Sequence, residues 1–144
     1  MELESILVPT DGSDNAYMAM DLAVDLAKQS GANITSVYVV DRKPGVAAPD
    51  IEQCEIVTET ARKEAETALI IMKSKADAAG ITFTEKILTG NPADAIVKES
   101  ENHDMIVMTS VGRSGLAKAF MGSVSQKVVA HAACPVLVIK PGRK

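Results

Sequence analysis

Five short stretches with strand-like residue choice alternate with stretches in which small apolar residues recur at helical spacing. The five are 5–9, 34–40, 81–88, 105–108 and 135–140, and each reads as a strand. Between them Ala16, Met20, Ala23 and Ala27 form one helical stripe. Cys54, Val57, Ala61, Ala65, Ala68, Met72 and Ala76 form a longer one. A third helix carries Ala95, Ile96 and Lys98, and 124–132 reads as the last. The helix ends are marked in the sequence. Ser13 is an N-cap, Asp50 with Gln53 a variant capping box, and Asn91-Pro92 a cap followed by proline at the first helical position. Gly31 and Gly80 stop the first two helices. Strands separated in this way by helices pair in parallel through right-handed crossovers. The expected fold is α/β: one domain over 1–144, an open five-stranded parallel sheet with helices on both faces, Rossmann-like.

A chain of 144 residues has the length of one domain, and its 47% of hydrophobic residues suffices for a core. The net charge of −4 and the lack of basic runs or aromatic clusters argue against nucleic acid as a partner. No apolar segment reaches the roughly 18 residues of a membrane span. The N-terminus, Met1-Glu2-Leu3-Glu4-Ser5, is acidic where a signal peptide would be basic. A cytoplasmic protein with no membrane partner is expected. Cys54 and Cys134 form no CxxC and read as buried thiols, and no metal site is expected of them. His103 and His131 have no partner at metal-ligand spacing and read as surface or helix-end residues.

In a parallel sheet of this kind ligands bind beyond the carboxyl ends of the strands. Three segments fall at that edge. They are Pro9-Thr10-Asp11-Gly12-Ser13, Val39-Val40-Asp41, and the stretch from Thr109 through Gly112 to Gly122-Ser123. The last runs from a strand through a glycine-bearing loop to a helix N-terminus. Glycine lets backbone amides approach an anion, and the helix start adds unpaired N–H groups and a positive dipole end. Such a geometry binds phosphate. The chain has no GxxxxGK[ST] and no serine or cysteine nucleophile placed with a histidine base. No catalytic residue is therefore assigned, and a fast hydrolase is not expected.

Several of these segments together resemble the universal stress protein family. Ile6-Leu7-Val8-Pro9-Thr10-Asp11-Gly12-Ser13 is similar to its first strand and loop. Gly90-Asn91-Pro92-Ala93-Asp94-Ala95-Ile96 is similar to the start of its third helix. Gly122-Ser123-Val124-Ser125 and Cys134-Pro135-Val136-Leu137-Val138 are similar to its end. The resemblance spans nearly the whole chain and implies a fold of the adenine nucleotide alpha hydrolase type. In ATP-binding members the loop reads Gly, two residues, Gly, nine residues, Gly, then Ser or Thr. Two registers compete. Gly112-Arg113-Ser114-Gly115 supplies two glycines but leaves six residues before Gly122. Anchoring on Gly112 leaves nine and places Thr109 where the first glycine stands.

The resemblance implies an adenine nucleotide ligand, ATP or else ADP or AMP, with Mg²⁺ or Mn²⁺ held by the phosphates. Asp11, after Pro9 and Thr10, would lie near the ribose or the metal. Its competing reading is a turn acid, since Asp-Gly is a common turn pair. Val39 would hold adenine through its backbone and Met108 would wall the ribose or base, although both also suit a strand core. Gly112, Gly122, Ser123 and Val124 would offer amides to the phosphates, with hydroxyls from Ser123 and Ser125. Thr109 would line the same stretch. The competing reading is a loop and cap that need small residues. Arg113 and Lys118 could screen phosphate charge, or be plain solvated charges. The resemblance also implies a homodimer through the last strand. Val136, Leu137, Val138 and Ile139 form an uninterrupted apolar run, the pattern of a strand buried on both faces. The function so implied is that of a nucleotide-dependent regulator of stress response. The alternatives are an interaction dimer without nucleotide, favoured by Thr109, and a slow ATPase or adenylyl-transfer enzyme.

Overall fold

A computed structural model describes residues 2–41, 51–111 and 121–140, with the side chains of 51–58 excepted. The elements run β1 (Ser5–Pro9), α1 (Asp14–Ser30), β2 (Asn33–Asp41), α2 (Ile51–Ala78), β3 (Phe83–Gly90), α3 (Pro92–Glu99), a 3₁₀ turn (Ser100–Asn102), β4 (Met105–Thr109), α4 (Ser123–His131) and β5 (Val136–Ile139). The five strands form one parallel sheet in the order β3-β2-β1-β4-β5. This is the expected α/β architecture. The chain winds outward from β1 to β3, then returns to the other side of β1. The point of reversal lies between β1 and β4, where such sheets hold ligands.

Local signals account for most of the helix ends. The Ser13 hydroxyl accepts the Ala16 amide at 3.2 Å, and the Asn91 side chain accepts the Asp94 amide at 3.0 Å. Gly31 takes φ +79° and returns its amide to the Ala27 carbonyl. At the end of α2, Gly80 at φ +70° donates to Asp77 and Ile81 donates to Ala76, the paired bonds of a Schellman motif. Here the structure corrects the reading of β3. Ile81 belongs to the helix stop, so the strand starts at Phe83 rather than Ile81 and runs on to Gly90. The Asp50 capping box lies outside the described residues, as do the side chains of Cys54 and Val57.

Alternation divides the core between the two faces of the sheet. Ile6, Val8, Ile34 and Val107 pack under α1 and α2 with Met20, Ala23, Ala27, Met72 and Ala76. Leu7, Val37, Ile106 and Met108 pack under α3 and α4 with Ala93, Ile96 and Val128. Leu69 is fully buried beside Tyr38, a position the stripe of α2 did not include.

β5 departs from expectation. Its four residues are half-buried or exposed, with Leu137 at 37%, not buried on both faces. The strand has a neighbour, β4, on one side only. In the register of that pair Leu137 shares a face with Val107, under α1. α1 lies over β1 and β4, with no comparable contact to β5.

His103 stands at a helix end, as read, closing the 3₁₀ turn, but its side chain is 6% exposed and not on the surface. Nε2 lies 2.8 Å from Glu99 Oε2, and Nδ1 lies 2.6 Å from Ser5 Oγ. An ionised carboxylate only accepts, so Nε2 carries the proton that faces it. Lys86 Nζ reaches the same Glu99 oxygen at 2.9 Å. Burial pushes the Glu99 carboxyl up, but the hydrogen bonds and charges of Lys86 and His103 outweigh it and hold it below its ordinary value. Nearby, Asp104 Oδ2 accepts the amides of Glu4 and Ser5 and so sets β4 against β1. The Cys134 thiol is half-buried and pushed up by burial and by the charge of Asp104, so it is a poor nucleophile. Ser5, His103, Asp104 and Cys134 lie at the amino-terminal end of the strands, away from the reversal point, and Lys86 reaches Glu99 from the middle of β3.

Candidate functional site

At the carboxyl ends of β1, β2 and β4 the sheet opens into a cavity of about 310 Å³. Pro9, Thr10 and Asp11 form its wall from the β1–α1 loop. Val39 comes from β2, Met108 and Thr109 from β4, and Gly122, Ser123, Val124 and Ser125 from the start of α4. Every residue expected at the site that the structure describes therefore lines one cavity. Gly112 lies outside the described residues, and so do Arg113 and Lys118. Four lining residues were not anticipated: Ala16, Val37, Pro92 and Ile96. Strand alternation could have found Val37, because it shares a face with Val39. Pro92 and Ile96 enter only because α3 packs beside β2.

The β1–α1 loop is wound tightly by its own side chains. The Thr10 hydroxyl accepts the Gly12 amide at 3.1 Å, and Asp11 Oδ1 accepts the Ser13 amide at 3.0 Å. Gly12 takes φ +82°, a left-handed conformation that glycine adopts without strain. The Thr10 amide donates to Val37 O at 2.9 Å and ties the loop to β2. Asp11 thus has the turn role weighed for it and still faces the cavity.

The β4–α4 side is clasped across its neck. The Gly122 amide donates to the Ser110 carbonyl at 2.6 Å, and Ser125 Oγ donates to the Thr109 carbonyl at 2.8 Å. Thr109 Oγ1 turns back to donate to Val111 O at 2.9 Å. α1 and α3 each carry a side-chain cap, whereas α4 starts at Gly122 with none. Its first intrahelical bond runs from Gln126 N to Gly122 O. The amides of Ser123, Val124 and Ser125 precede it and have no acceptor among the described residues. They open on the cavity rim with the positive end of the helix dipole behind them.

The opposite wall is apolar. Val37, Ile96 and Met108 are nearly fully buried, and Val39 is half-buried. Among the described lining residues Asp11 is the one charged side chain. Among the described residues, no group of three or more His, Cys, Asp or Glu is placed to hold a metal ion. No described helix is long and apolar enough to cross a membrane. An apolar slot beside uncapped helix amides can hold a flat hydrophobic group at one end and an anion at the other.

Comparison with known proteins agrees with this architecture. A universal stress protein of Methanocaldococcus jannaschii is 37% identical over 143 residues, covering 98% of this chain and 84% of that protein. The universal stress protein UspA from Lactobacillus plantarum superposes with a TM-score of 0.81 at 29% identity, covering 96% of this chain and 99% of that one. A universal stress protein solved in complex with cAMP superposes with a TM-score of 0.76 at 25% identity, covering 99% of this chain and all of that one. The profile described as the universal stress protein family matches residues 2–140, and the chain belongs to that family.

Proposed function

We propose that this chain binds an adenine nucleotide in the cavity and acts as a nucleotide-dependent regulator of stress response. One observation carries the reading: the apolar slot and the three uncapped amides of α4 meet in a single cavity at the reversal point of the sheet. The cAMP complex of a relative with the same fold supports it. With few aromatic side chains available, adenine lies between Val37, Val39, Ile96 and Met108 and bonds to backbone. The phosphate lies on the amides of Ser123, Val124 and Ser125. ATP, ADP and AMP are the candidate ligands. Any Mg²⁺ or Mn²⁺ is held mainly by the phosphates, with Asp11 as the nearby carboxylate. The chain works in the cytoplasm, as one domain over 1–144. It dimerises through β5, an edge strand with exposed Leu137.

Two measurements test this. Mass spectrometry of small molecules released from freshly purified, denatured protein identifies a resident nucleotide. Calorimetric titration with ATP, ADP and AMP, with Mg²⁺ present, gives a micromolar affinity for at least one. No heat from any of the three with folded protein rules the reading out.

A second reading is favoured by Thr109, which brings a side chain to the cavity wall. In that reading the protein has lost nucleotide binding and acts as an interaction dimer. It predicts an empty spectrum in the release experiment and a dimer by light scattering.

A further inference from the structure

We infer that Ser5 is a nucleophile with His103 as its base, and that it takes an acyl group from small activated esters. The site is separate from the cavity and independent of the nucleotide reading, since neither residue lines that cavity.

Three observations carry it. The first is a hydrogen-bonded line that the fold assembles from residues 98 positions apart. Ser5 Oγ lies 2.6 Å from His103 Nδ1, and His103 Nε2 lies 2.8 Å from Glu99 Oε2. Hydroxyl, imidazole and carboxylate in that order are the arrangement that activates a serine, and geometry rather than chain position defines it.

The second observation is the tautomer. The Glu99 carboxylate only accepts, so the imidazole proton sits on Nε2 and the Nδ1 lone pair faces Ser5. The Ser5 hydroxyl therefore donates to Nδ1, the direction in which a general base removes its proton. Lys86 Nζ, 2.9 Å from the same Glu99 oxygen, helps to keep that carboxylate ionised.

The third observation is access. The side chains of His103 and Glu99 are buried, whereas Ser5 is half-buried at the first position of β1, beside exposed Glu4. The base is sheltered while the nucleophile stands where the sheet meets solvent. The amides of Glu4 and Ser5 are both spent on Asp104 Oδ2, so neither stabilises an oxyanion. The expected chemistry is thus one acylation per chain and not fast turnover. Ser5 Oγ attacks the ester carbonyl carbon as its proton passes to His103 Nδ1. The bond from that carbon to the leaving oxygen breaks, and the leaving oxygen keeps the electron pair and takes the proton from Nδ1. An acyl ester of Ser5 and a free alcohol or phenol result.

The experiment treats the whole chain with para-nitrophenyl acetate, quenches it in acid and locates acetyl groups by peptide mass spectrometry. Ser30 is the internal control, an exposed hydroxyl that donates to Leu26 O and meets no imidazole. General-base assistance is worth about 10²–10⁴-fold, so Ser5 should be acetylated at least about tenfold faster than Ser30. His103→Gln keeps a hydrogen-bonding side chain beside Ser5 and should bring its rate down to that of Ser30, with the circular dichroism spectrum of the wild type. Acetylation of Ser5 no faster than that of Ser30 in the wild-type protein overturns the inference, and this arm depends on no variant. An undiminished Ser5 rate in folded His103→Gln overturns it as well.

Discussion

Gly122 does two things at once. Its amide closes the neck of the loop, and its lack of a side chain keeps Ser110 O close: a Cβ there would sit 3.3 Å from that carbonyl oxygen. Its φ of −65° suits any residue, so the demand is for space and not for conformation. Gly122→Val would push the start of α4 from the end of β4 and displace the three amides beside it. We expect nucleotide affinity to fall at least tenfold while the circular dichroism spectrum stays that of the wild type. Wild-type affinity in this variant would mean that no phosphate sits at this helix start. Thr109 is the converse case. Its side chain lines the cavity and spends its proton on Val111. Thr109→Gly removes that bulk, and the expected outcome is binding tighter by several fold. Unchanged affinity would show that Thr109 does not crowd the ligand.

Between elements, the informative contact is the partly buried line from Lys86 of β3 through Glu99 of α3 and His103 to Ser5 of β1. It joins the middle of an edge strand to the amino-terminal end of the central strand. Glu99 is ionised in both folded and unfolded chains above the ordinary carboxyl value of 4.5, and there its stabilisation is complete. Because its folded value is lower, the stabilisation is lost as pH falls through that folded value, not as pH rises. Glu99→Gln should cost about 1–3 kcal/mol in urea unfolding at pH 7. The gap from wild type should shrink as the pH is taken toward 3. A gap that holds constant across that range would mean that the carboxylate charge is not what stabilises. His103→Ala leaves both Glu99 and the Ser5 hydroxyl short of a partner and should cost a similar amount, about 1–3 kcal/mol. Ligand affinity should be little changed, since none of these residues lines the cavity.

For the whole molecule, the question is what covers β5. An edge strand that carries Leu137 at 37% exposure is a template for pairing with another chain. A second copy of the same strand about a two-fold axis would close that edge, and nothing would remain to extend. Val138→Asp should yield monomer or insoluble protein. Leu137→Asp separates the two outcomes. It places the charge on a residue already open to solvent, so the fold should survive while the dimer is lost. Light scattering reads both variants. A monomer mass for the wild type at micromolar concentration would refute the dimer outright.

Much of the fold was legible in the residues because its signals are short-range. Ser13, Asn91, Gly31 and Gly80 act on amides and carbonyls within five residues of themselves, so the sequence alone marks where helices start and stop. The alternation of elements then restricts the sheet to parallel pairing, and the three chemistry-bearing loops to its carboxyl edge. The sequence by itself did not determine the strand order, with β1 central and β5 at an edge, because pairing joins residues far apart in the chain. Nor could it place Ser5 against His103, which are 98 positions apart, and so only the fold shows that this helix-end histidine has a buried side chain. The same holds for Ile96 and Pro92. Only the packing of α3 beside β2 decides that they face a ligand cavity as well as the core. The tertiary structure alone revealed that the Gly122 amide is already taken. Local sequence shows how many donors a helix start possesses, but a distant carbonyl decides how many are left to bind.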